Sequence, residues 1–194
     1  FNLNNLKLTT EKGIRLDGDL GFKNAINRER GFVFNGDLNT LTANYKELKN
    51  IAPNLLGENL PSELEKFGQF SVNGKVNITS SKVKAILTMK SQIGAVVSDL
   101  EINNIDKIDA VSYSGDIQLI KFNIGSFLKN PVFGNVSLKG AVNGSGFKLN
   151  NLNTNFVGAV SELNFNNYSY HNIIANGQYQ KNKFDGSLVI DDAN

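Results

Sequence analysis

The chain has 194 residues, 40% of them hydrophobic and 20% charged, with Lys plus Arg at 20 against Asp plus Glu at 18. That is enough apolar material for a core and too little charge for a disordered tail. A net charge of +2 excludes a basic field for nucleic acid or anionic lipid, and the absence of Cys excludes disulfide frameworks, Cys-based metal sites and thiol catalysis.

No stretch approaches about 18 consecutive apolar residues, so no segment is expected to span a bilayer as a helix. No secretory leader is visible. The sequence starts at Phe1 inside an alternating segment and runs out at Asp191-Asp192-Ala193-Asn194 without a clear stop. It reads as a piece of a longer protein, with any leader or anchor outside it.

Alternation with period two dominates and predicts strands with one apolar face. In chain order, the first three fall at roughly 3–10, 14–22 and 31–38. Helical patterning follows over 45–51 and again over 61–67, where Pro61 suits a first helical position and Gly68 a stop. Strands resume at roughly 69–79, 83–90, 95–103 and 109–119. The segment 69–79 (QFSVNGKVNIT) is the clearest. Phe70, Val72, Val76 and Ile78 face one way with Gly74 among them; Gln69, Ser71, Asn73, Lys75, Asn77 and Thr79 face the other. A short helical echo, 125–130, precedes Pro131. The last strands are expected at roughly 134–143, 147–156, 159–166, 173–180 and 183–191. Short turns rich in Asn, Gly, Ser and Lys favour antiparallel hairpins.

The chain also repeats itself. Phe67-Gly68 answers to Phe133-Gly134 and Gly74 to Gly140 at 66 residues, Gly94-Ala95-Val96 to Gly158-Ala159-Val160 at 64, and Gly115 to Gly177 at 62. The unit is one helical lead-in plus four or five strands. Residues 1–44 then read as the end of a preceding repeat, 45–120 as one repeat, and 121–194 as a second with a shorter lead-in.

Glycine recurs on the apolar stripe at Gly18, Gly36, Gly74, Gly115, Gly140, Gly177 and Gly186. Glycine inside a strand marks a bend or a close approach. A bent sheet of repeats either closes and fills its interior or stays open and grows lengthwise. The fold expected here is all-β: an elongated, curved antiparallel sheet with an open apolar groove and short helical insertions. Exposed apolar surface of that extent marks an interaction site.

Five segments carry a family resemblance: 134–140 (GNVSLKG), 144–154 (GSGFKLNNLNT), 158–163 (GAVSEL), 168–170 (YSY) and 184–192 (FDGSLVIDD). Together they resemble the TamB/AsmA-like family, the inner-membrane subunits of the translocation and assembly module. The earlier copy, 67–119, resembles the same pattern more loosely, so a little over half of the chain is covered. The resemblance implies a periplasmic shaft anchored in the inner membrane by a helix outside this sequence. It implies a hydrophobic groove for phospholipid transport to the outer membrane, for outer-membrane protein assembly, or for both. The implied partners are phospholipid acyl chains and, through a C-terminal region that has no match here, an outer-membrane barrel assembly protein. No cofactor and no catalytic residue are implied.

The lining expected of such a groove is Phe70, Val72, Val76 and Ile78 in one strand and Val111, Tyr113, Ile117 and Leu119 in another. Val136, Leu138 and Val142 follow, then Tyr179, and finally Phe184, Leu188 and Ile190. His171 is the only His and finds no Cys or second His to share a metal. Asp191-Asp192, and Asp99 with Glu101, are expected on solvated surface, so an enzyme is not expected. The competing architectures are a closed β-sandwich or adhesin-like module, and an outer-membrane barrel. Exposed end strands are expected to pair between chains.

Overall fold

The computed structural model describes residues 1–11, 13–25, 30–51, 62–147, 151–181 and 183–192. Eleven strands form one sheet in simple chain order, each antiparallel to the next. They are β1 (Asn2–Thr9), β2 (Arg15–Lys23), β3 (Val33–Asn44), β4 (Gln69–Thr79), β5 (Lys82–Ser91) and β6 (Gly94–Asn103). β7 (Ser112–Asn123), β8 (Phe133–Ser145), β9 (Asn153–Phe165), β10 (Tyr168–Gln180) and β11 (Lys183–Ile190) complete it. The sheet is open, elongated and curved, and is neither a sandwich nor a barrel. At about 4.8 Å per strand it extends roughly 50 Å.

Tight turns account for the topology. Asn166 and Asn167 both adopt positive φ, at 51° and 64°, and close the β9–β10 hairpin as a turn whose twist matches its strands. The segments expected at 147–156 and 159–166 are one strand, β9. Gly158 does not break it, because Gly158 sits opposite Gly140 and simply lets two backbones approach. Residues 148–150 and Pro61 lie outside the described residues.

Two strands end in the same device. Asn44 closes β3, and its side-chain oxygen accepts from the Glu47 backbone N–H at 3.0 Å, capping helix α1 (Tyr45–Ile51). Asn123 closes β7, and its side chain accepts from Ser126 N–H at 2.7 Å, capping α2 (Ile124–Leu128). A 3-10 helix, Ser62–Phe67, leads into β4 and stops at Gly68, whose φ is +64°. Helical segments and runs of four strands therefore alternate: β4–β7 after the first, β8–β11 after the second. This corrects part of the repeat register. Gly74 and Gly140 are equivalent, in β4 and β8, but Gly94 opens β6 whereas Gly158 lies mid-β9. Likewise Gly115 is in β7 and Gly177 in β10, not β11. The 62- to 64-residue matches slip by one strand because alternation looks alike from strand to strand.

Gly74 and Gly115 do need to be glycine. Their φ values are +123° and +140°, and a Cβ at either would run into a carbonyl of the neighbouring strand, that of Ile86 or Asp99. Both interrupt the regular pleat at mid-strand and let the sheet change direction.

Most buried side chains gather toward the two long rims, with Leu38, Ala85 and Ala175 buried at mid-strand. On one rim Ile14, Ala43, Phe67, Phe70, Phe122, Val136, Val160 and Ile173 form one buried cluster, against which Leu48, Leu64, Ile124 and Phe127 of the helical segments pack. Phe67, Phe122 and Phe127 form a triangle with ring centroids 5.6–5.8 Å apart. The opposite rim buries Phe32 and Val111 and stacks Tyr113 on Phe147 at 5.7 Å. The accessible surface, 11961 Å², exceeds the roughly 9,000 Å² of a compact 21.2 kDa protein. A single layer with no second sheet over it produces that excess.

Candidate functional site: an apolar face running across the sheet

In antiparallel pairs, residues opposite one another share a face. Register therefore traces an unbroken row across the sheet. Leu8 faces Leu16, which faces Leu41, then Val72, Met89 and Val96. Val96 faces Leu119, which faces Leu138, then Val160, Ile173 and Ile190. Every strand contributes one aliphatic side chain. Bulges that shift the register in β1, β3, β7 and β8 are placed so that the row is never lost.

Next to it runs a row of alternating bulk: Leu38 beside Gly74, then Leu87, and later Ile117 beside Gly140 and Gly158, ending at Ala175 and Leu188. The missing side chains are partly replaced from the same face. A Cβ at Gly140 or Gly158 would come within 2.7 or 2.8 Å of the Phe156 ring, which lies across both. Beyond these, Val76 and Val142 share a third row with Gly36 and Gly115. Ile78, Tyr113, Tyr179 and Phe184 belong to a fourth, along the aromatic rim. No charged side chain enters these rows.

Most of the face is half-buried, and at β11 it is exposed: Phe184 at 44%, Leu188 at 55% and Ile190 at 48%. Fourteen of the residues expected on the lining do lie on this face. Val111 does not serve it. At 0% exposure it is fully buried at the rim, between the 3-10 turn Ile108–Ala110 and the start of β7. Phe70 and Val136 lie on the face but are buried, as are Val160 and Ile173 of the row itself, all four in the cluster of the helical rim. The sequence reading left out Leu8, Leu16, Leu41, Met89, Val96, Val160 and Ile173, although the same parity rule marks them once strand bounds are known. Phe156 was the larger omission; its role shows only when β8 and β9 are aligned.

Tyr113 lies on this face, half-buried. Burial pushes its phenol above the usual range, opposed by its hydrogen bond with the Thr154 hydroxyl.

The other face is polar and self-satisfied. Lys75 pairs with Asp37 at 3.1 Å, Lys82 with Glu101 at 3.7 Å and Lys7 with Asp17 at 3.8 Å. Asn77 donates to Asn35 at 2.6 Å. A depression of about 390 Å³ lies here over β1–β5, its sides formed by these same Asp37, Lys75, Asn35 and Asn77 side chains. His171 is exposed on β10 opposite Glu162, and Asp99 lies opposite Asp116. Among the described residues no group of three or more His, Asp or Glu could hold a metal ion, and no helix is long and apolar enough to cross a membrane.

Comparison with protein families, characterised proteins and solved structures returned no match for this chain.

Proposed function

We propose that this chain is a segment of a periplasmic, bridge-like protein whose apolar face conducts phospholipid acyl chains toward the outer membrane, the role that the TamB/AsmA-like resemblance implies. The observation that carries the reading is the aliphatic row from Leu8 to Ile190, continuous over eleven strands of a sheet with no second layer. Transport of this kind needs no catalytic group. It needs a path on which each methylene stays out of water, at about 0.8 kcal/mol per CH₂. A face roughly 50 Å long exceeds the roughly 15 Å depth of one bilayer leaflet, so one chain can slide onto it as another leaves. The lack of charge in these rows fits a carrier that reads hydrocarbon rather than head groups. The same exposed face suits unfolded outer-membrane protein strands, the family's second role.

The test is native mass spectrometry of the purified chain after exposure to phospholipid vesicles. Bound phospholipid is the expected result, and Leu188→Asp with Val72→Asp should remove most of it. A chain that stays free of lipid while folded would sink the reading.

A further inference from the structure

Two rows of the apolar face lie between the aliphatic row and the aromatic rim. From β4 to β8 the first of them reads Gly74, Leu87, Ser98, Ile117, Gly140, and the second reads Val76, Ala85, Leu100, Gly115, Val142. Each strand thus carries one large and one small residue here, and the large one changes row at every strand. Bulk is spread evenly, as interdigitating side chains require. The order fails at β9. Regularity would place the large residue of β9 in the first row, but Gly158 stands there and Phe156 in the second. β10 then adds two small residues, Ala175 and Gly177. Gly140, Gly158 and Ala175 are therefore neighbours in one row and leave a recess two strand spacings long, roughly 10 Å.

The ring of Phe156 lies over the first two members of that recess. Its Cε2 would stand 2.7 Å from a Cβ on Gly140 and its Cζ 2.8 Å from a Cβ on Gly158, so the ring rests on bare backbone. The residue is only half-buried, since no second sheet closes over it. A ring over a cross-strand glycine stabilises a sheet, and the apolar contacts it makes are contacts that any hydrocarbon could make in its place. We propose that the recess is a discrete site for an acyl chain, and that the Phe156 ring occupies it until the guest arrives. The ring turns out about χ1, and acyl methylenes then lie on Gly140, Gly158 and Ala175. Both glycines are needed, because a side chain at either leaves room for neither ring nor guest. From β4 to β8 a guest meets large side chains in every strand; at β9 it meets backbone. Apolar contact is exchanged for apolar contact, so capture costs little and is reversible, as a conducting path needs. This inference rests on the groove reading and names the point along the face at which the moving chain is gripped.

The glycines supply the readout. An aromatic ring displaces the NMR signals of protons beneath it. The α-protons of Gly140 and Gly158 should therefore be shifted in the lipid-free chain and unshifted in Phe156→Leu. The full chain is loaded from vesicles of phosphatidylethanolamine and phosphatidylglycerol and re-isolated. Both glycines of the unsubstituted chain should then move to their Phe156→Leu positions. Lipid found bound by native mass spectrometry, with both signals still ring-shifted, overturns the proposal and leaves the groove reading standing. A folded chain that takes up no lipid overturns both. Affinity gives a second test. Phe156→Ala removes the competitor and should bind a phospholipid with a fluorescent acyl chain about tenfold more tightly, with Phe156→Leu between it and the unsubstituted chain. An unchanged or weaker affinity in a folded Phe156→Leu chain overturns the proposal, whether or not the alanine variant folds.

Discussion

Phe122 and Leu188 lie on the same face of the same sheet, yet one is 4% exposed and the other 55%. The difference is what covers them. Over β3 to β8 the helical segments bring Leu48, Leu64, Ile124 and Phe127 down onto the strand ends. Over β11 nothing described comes down. Alternation alone therefore yields a half-wet apolar surface. The largest buried cluster forms where Asn-capped helices have been inserted at strand ends. The accessible face is the default state of this architecture, and the covered rim is the special case that anchors it.

The contrast can be broken most forcefully at Phe122. Phe122→Ala should cost about 3–5 kcal/mol in urea unfolding, whereas Leu188→Ala should stay within about 0.5 kcal/mol. Comparable losses would mean that β11 is as covered as the helical rim. Next in size, Gly74→Ala should cost about 1–3 kcal/mol or more, because a side chain is forced into φ +123° against the Ile86 carbonyl. A neutral result would show that the strand does not need its mid-length break. Asn123→Ala should cost about 1 kcal/mol by removing the cap of α2, with faster hydrogen exchange confined to the helical rim. Exchange spreading to β11 would mean that the two regions are one cooperative layer. The smallest effect belongs to the polar face, where Lys75→Ala should change stability by less than about 1 kcal/mol, since the Lys75–Asp37 pair is exposed.

Much of this was legible in the sequence because strand parity is a local property. Phe70, Val72, Val76 and Ile78 could be assigned to one face from eleven residues, and the register confirms their common side. Helix positions were equally local, set by Gly68, Pro131 and the apolar spacing before them. Three things were not local. Val111 has the right parity but lies just ahead of its strand, after a 3-10 turn, and is fully buried. The repeat slipped by one strand because Gly-x-x motifs recur in every hairpin. Phe156 covers Gly140 and Gly158 only through the β8–β9 pairing, which no single stretch of sequence encodes.

The central claim is that hydrocarbon reaches the apolar face. A photo-crosslinking residue at Leu138, in that row, and at its chain neighbour Lys139, on the opposite face, tests it within one strand. Irradiation in cells should give phospholipid adducts at 138 and none at 139. Adducts at neither position, or equally at both, would contradict the account.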